Sequence, residues 1–279
     1  LEPFRTPRFA EFKPYLLFGI RFYIPVLLFS LLQRSGVLFI KALSGSYAQV
    51  GYFDVANQFL ILTTTFLGLI IATMLPAMAS LHVRDEHSTI RRWHATVMTY
   101  CGVVIFLTMH ALVMIGRHAI VLCLTAEFAA VYDAAAAIVF ALPPAVMAYV
   151  GMNLSLLRKE PGVYVRAVLA ALGIMAAGCL LLVPQADAVG AGWASVAGYL
   201  ALALAFYVHY RGEFVEILPG FLRVLGVGLL VMPAWFFTAD PGPALLLFVV
   251  TSCIYAALLL LLRCVSLADA RKVLHAFRT

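Results

Sequence analysis

The chain has 279 residues, 64% hydrophobic and only 11% charged, with a formal net charge of +6. A water-soluble domain carries about 25% charged residues, so this composition excludes one. The net charge is not a nucleic-acid footprint either, because no basic stripe with interleaved aromatics occurs. The apolar residues gather in eight stretches, about 15–42, 49–79, 95–116, 134–157, 163–183, 188–209, 221–238 and 243–263. A helix needs roughly 20 residues to cross a bilayer. The pattern predicts an all-α membrane protein with about eight transmembrane helices.

Residues 1–14 are polar and basic and do not resemble a secretory leader. They read as a cytoplasmic linker entered from an upstream part of the protein. The first apolar stretch carries Arg21, Arg34 and Lys41 and contains Pro25. An Arg at bilayer depth costs on the order of 2.5–3.5 kcal/mol on insertion scales, so it normally faces water or a partner. Lys41 follows Arg34 by close to two helical turns, on the same face. Arg21 points away on a straight helix, although a proline kink would re-aim it, and both Arg21 and Lys41 can snorkel to an interface. Pro25 is also a candidate hinge.

The second stretch opens with Asp54, Asn57 and Gln58, and Thr64 and Thr65 prolong this polar stripe. Such a stripe should face protein or water rather than lipid. Asp54 is read either as the partner of Lys41 or as a carboxylate for ion or proton coupling. His110, alone in the third stretch, is read as a bundle hydrogen-bonder before a proton relay. Pro76, Pro143-Pro144 and Pro233 punctuate the second, fourth and seventh stretches.

Lys and Arg alternate between the gaps. Fifteen of the 19 lie before the first stretch, after the second, fourth and sixth, and in the tail, counting Arg166, Arg223 and Arg263 just inside the adjoining stretch ends; only Arg117 lies in the opposite gaps. The positive-inside rule then makes the rich side, with both ends of the segment, cytoplasmic. The five cysteines are scattered through apolar helices without a CxxC spacing, so no metal site or redox pair is expected. No phosphate loop, no Ser/His/Asp constellation and no sizeable outer loop occurs. The sequence therefore predicts no enzyme, no cofactor and an anionic substrate, for which Arg is geometrically suited.

Four segments carry a resemblance. Val50-Gly51-Tyr52-Phe53-Asp54-Val55-Ala56 resembles the "VGxYxxA" helix start of polysaccharide flippases. Leu75-Pro76-Ala77-Met78-Ala79-Ser80-Leu81, followed by a charged stretch ending in Arg91-Arg92, is similar to their "PxLSxL…R" junction. Ala126-Glu127-Phe128 looks like their "GxEF" entry. Ala188 to Ala194 resembles "GxxGAAxA", with Gly192 and Trp193 in place of Ala-Ala. Together these resemble the O-antigen (Wzx-type) flippases of the multidrug/oligosaccharidyl-lipid/polysaccharide exporter superfamily.

The resemblance implies a two-lobed fold, of which this chain would be the second lobe (15–209) plus two additional helices and a tail (210–279), the N-terminal lobe being missing. It implies alternating-access transport of a polyprenyl diphosphate-linked saccharide across a bacterial inner membrane. On that reading Arg34, Arg21 and Lys41 meet the diphosphate, and Asn57 and Gln58 the sugar; the family motifs do not contain these residues. The competing readings are a cation-coupled multidrug exporter of the same superfamily, which predicts an acidic cavity, and a non-transporting membrane scaffold.

Overall fold

The structure is a computed structural model that describes residues 9–237 and 241–265. Among the described residues there is no strand, and nine α-helices follow one another: α1 Phe9–Leu43, α2 Tyr47–Thr73, α3 Leu75–Val83, α4 His87–Cys123, α5 Ala129–Ile138, α6 Leu142–Leu157, α7 Pro161–His209, α8 Arg211–Leu229 and α9 Pro241–Leu261. Six continuous helical segments among the described residues are long and apolar enough to cross a membrane. Arg5, Arg8, Arg271, Lys272 and Arg278, expected on the cytoplasmic side, lie outside the described residues, as do residues 1–8 of the expected linker. The rest of that linker, from Phe9, is already helical.

Proline chemistry explains where the long helices break. Proline lacks an N–H, and its ring clashes with the carbonyl four residues back. The fourth expected stretch accordingly stops being α-helical at Ile138, passes through a 3₁₀ turn at Val139–Ala141, and restarts with Pro143-Pro144 in the first turn of α6. That position tolerates proline because its N–H would be unpaired anyway. Pro76 likewise opens α3. The seventh expected stretch, 221–238, is not one helix: α8 ends at Leu229, four residues before Pro233, and a 3₁₀ segment runs from Met232 to Phe237. Pro25 behaves differently, since α1 stays helical through it.

The 49 residues of α7 form a hairpin rather than a rod. Ala186 and Asp187 leave helical geometry, with Asp187 at φ 43°. A Cβ on Gly190 would come 2.3 Å from the Leu182 carbonyl oxygen, Gly178 faces Ala194, and Gly198 faces Met175. These pairs run antiparallel, so α7 crosses twice, as the separate stretches 163–183 and 188–209 predict. Small residues at such contacts let two backbones approach where no hydrophobic effect drives them together.

The buried centre is the α5–α6 passage. Of its apolar window 72% is buried, against 22% for α2–α3 and for α9. Those outer helices expose Leu62, Leu69, Leu246 and Val249. In water so much apolar surface would aggregate; in a bilayer it meets its own solvent.

Helix α8 runs parallel to α4. Arg91 binds Glu216, Phe221 packs over Gly102 and Phe106 over Gly228. With α9 they share a separate apolar cluster of Phe106, Val224, Val227, Val231, Tyr255 and Leu259. Four charged side chains (Arg211, Glu213, Glu216 and Arg223) keep α8 out of the six apolar segments.

His110 is the polar pin of this cluster. Trp235 Nε1 donates to its Nδ1 at 2.7 Å, and its Nε2 lies 2.8 Å from Thr251 Oγ1. An indole N–H only donates, so Nδ1 is the acceptor and Nε2–H the donor to Thr251, whose hydroxyl donates to the Leu247 carbonyl at 2.6 Å. Both nitrogens tie α4 to α9 and the 3₁₀ segment. His110→Leu should cost about 1–3 kcal/mol and speed amide exchange within 241–261, measured by hydrogen–deuterium exchange. Unchanged exchange there would deny the pin.

Candidate functional site

The turn between α1 and α2 pivots on Gly45, at φ 66°, and sends α2 back antiparallel. Two contacts set the register. The buried Asn57 amide donates to the Gln33 carbonyl at 2.9 Å, and the Phe53 ring packs against Gly36, where a Cβ would come within 2.4 Å. Arg34 is therefore level with Ala56, between Asp54 and Gln58. It sits nine residues below the end of α1, at about 14 Å depth for a 1.5 Å rise.

Rotation by 100° per residue aligns Ser30, Arg34 and Lys41 along one side of α1, and Asp54, Gln58 and Thr65 along one side of α2. Because the two chains run in opposite directions, the step from Gln33 to Arg34 and the step from Asn57 to Gln58 turn both side chains to the same side of the pair. Ser30, Arg34, Lys41, Gln58 and Thr65 are exposed, and Asp54 is half-buried. The result is a mixed polar face on two otherwise apolar helices. No hydrogen bond or ion pair joins the Arg34 guanidinium to another described residue.

The other sequence-predicted residues divide around this face. Lys41 lies 5.7 Å from the centre of the Tyr47 ring, and no ion pair within 4.0 Å joins it to Asp54. Arg21 is exposed but sits about 220° round α1 from Arg34, on the other flank of a straight helix. Asn57 points inward, its amide spent on α1.

Behind the face lies a layer that no local pattern announced. Gln33 lies beside the hydroxyls of Tyr149 of α6 and Tyr199 of α7, and Thr64 beside Tyr149. Phe29 meets both tyrosine rings edge-on. Asn153 donates to the Ile71 carbonyl at 3.2 Å, while its Oδ1 and the Tyr199 hydroxyl are buried without a hydrogen-bond partner. Burying polar groups in this way costs stability.

The end of the bundle that carries the Lys and Arg is cross-linked. Arg158 pairs with Glu213, and Arg91 with Glu216 at 2.7 Å. Tyr210 donates to Glu160 at 2.9 Å and accepts from Ser155. Burial raises the Tyr210 phenol above its usual range, with Glu160 adding to the effect and the Ser155 bond opposing it; the group stays a neutral donor.

Residues 2–133 match the model of a family described as polysaccharide biosynthesis protein. The first half of the chain is similar to polysaccharide biosynthesis proteins. The match ends within α5, and the whole α1/α2 face lies inside it. No curated protein matches the chain.

Proposed function

We propose that this chain takes part in polysaccharide biosynthesis as a flippase lobe. It would translocate a polyprenyl diphosphate-linked oligosaccharide across a bacterial inner membrane by alternating access, with no chemical step on the substrate. The observation that carries the reading is Arg34: exposed, unpaired and deep in α1, level with Asp54 and Gln58 on one face. A cation there needs either water or an anionic partner. A lipid diphosphate supplies two phosphates to a planar guanidinium suited to them, with Lys41 above and the Gln58 amide beside it for sugar hydroxyls.

The same face needs a covering partner, which on this reading is an N-terminal lobe that closes the cavity. Asp54, half-buried on the same face, would then serve as the ion-coupling carboxylate. The end rich in Lys and Arg would be cytoplasmic by the positive-inside rule, so the lipid would load from the side of Arg158 and Arg91.

The test is transport. The full-length protein, in liposomes carrying a fluorescent polyprenyl diphosphate-linked saccharide, should expose the sugar to an added glycosidase faster than empty liposomes do. A rate equal to that of empty liposomes would sink the reading. The monophosphate analogue should be a poor substrate.

A further inference from the structure

A second polar site lies at the opposite end of the helices from Lys41. His82 of α3, His87 and Arg91 of α4, Arg158 after α6 and Glu213 of α8 rim a cavity of about 310 Å³. Its apolar floor includes Ile90 and Leu157, which cluster with buried Met78. The volume is that of a small-ligand pocket. It shares no residue with the α1/α2 face.

Electrostatics favours an anion with a phosphate group. Glu216 holds Arg91 through Nε, and Glu213 holds Arg158 through one terminal nitrogen. A guanidinium has five N–H donors. The carboxylates thus orient both forks while leaving most donors unspent, and Arg91 keeps its two terminal amino groups. The His82 and His87 rings stand 5.1 Å apart on the same rim, and His87 reaches Asp85 at 3.6 Å. His87 is also the first residue of the 37-residue α4, and the Glu86 side chain does not cap it. The positive end of that helix dipole therefore opens on the rim and favours negative charge.

We propose that this cavity binds a phosphate-bearing anion, supplied by an anionic lipid headgroup or by a soluble phosphate. Basic pockets between transmembrane helices at the membrane surface recognise such headgroups. The apolar floor accommodates the first carbons of a lipid below its phosphate. An occupant would bridge α3, α4, α6 and α8 at the rim, above the apolar cluster that joins α3, α4 and α6 and beside the two ion pairs that hold α8.

The experiment titrates the full-length protein in detergent with three probes, read by calorimetry: dihexanoyl phosphatidylglycerol, dihexanoyl phosphatidylcholine and inorganic phosphate. Phosphatidylglycerol is expected to bind at least tenfold more tightly than phosphatidylcholine. Binding of phosphatidylglycerol without inorganic phosphate identifies a headgroup site; binding of both shows that the phosphate group suffices. Arg91→Gln with Arg158→Gln should weaken the anion at least tenfold, about 1.4 kcal/mol. His82→Gln with His87→Gln cuts neither ion pair to α8 and should weaken it several-fold in a protein that still melts normally. Arg34→Gln should leave this affinity unchanged, so a failed flippase reading and a failed pocket are separable. Saturable binding of neither anion, or equal affinity in wild type and both double variants, overturns the proposal.

Discussion

Arg34→Gln is expected to weaken binding of a polyprenyl diphosphate-linked saccharide by the full-length protein at least tenfold, about 1.4 kcal/mol. The monophosphate analogue, which offers the guanidinium fewer acceptors, should lose less. Arg34→Lys should fall between, because an ammonium keeps the charge but not the planar fork. Arg34 is exposed and bonds to no described residue, so its removal should not lower the melting temperature. Taking an unpaired charge out of the bilayer even removes an insertion cost of about 2.5–3.5 kcal/mol. Lost affinity with retained stability is the signature of a binding residue. Arg21→Gln, on the far flank of α1, should move affinity less than Arg34→Gln. Equal binding by wild type and Arg34→Gln would reduce Arg34 to a structural residue and remove the main support for a diphosphate site.

Gly190→Ala should be the most damaging single-methyl change tested in the α7 hairpin. The new Cβ would lie 2.3 Å from the Leu182 carbonyl oxygen and 2.5 Å from its carbon. Both atoms are backbone, so no side-chain rotation relieves the clash and the arms must part. Overpacking of this kind costs about 1–3 kcal/mol, occasionally more. Parting the arms also disturbs α1, since Ser35 meets Met175 on one arm and Phe29 meets Tyr199 on the other. Gly173→Ala is the control: nothing lies within 4 Å of its Cβ, and alanine is the better helix former. Thermal melts in detergent should show a drop for Gly190→Ala and none for Gly173→Ala. A wild-type melting temperature for Gly190→Ala would deny the close approach at the hairpin.

Much of this fold was legible because a membrane protein writes its solvent into its sequence. The long apolar stretches and the alternating basic gaps follow from the cost of burying charge in hydrocarbon, and they anticipated the helices without any knowledge of packing. Helix ends were less legible. The stretch read as 95–116 is the middle of the longer α4, His87–Cys123, because its polar first turns lie beyond the apolar band. Pro143 and Pro233 marked breaks, but a residue-by-residue reading did not say that Pro25 would be carried through while Pro233 would end α8.

The candidate face divides in the same way. Depth and charge singled out Arg34, Lys41, Asp54 and Gln58, since an ionisable or amide side chain in an apolar run is costly wherever it points. Asn57 belongs to the same stripe by spacing, yet it is buried against the Gln33 carbonyl. Gln33, Tyr149 and Tyr199, from three helices, had no sequence pattern to join them. The rim of His82, Arg91, Arg158 and Glu213 likewise gathers residues that are up to 131 positions apart in the chain. The sequence by itself determined the class of protein, the approximate crossings and the list of polar residues that must avoid lipid. Only the tertiary structure decided which of those residues share a face and which are spent on holding helices together, because that depends on antiparallel register and on contacts between distant helices, neither of which is a local property of the chain.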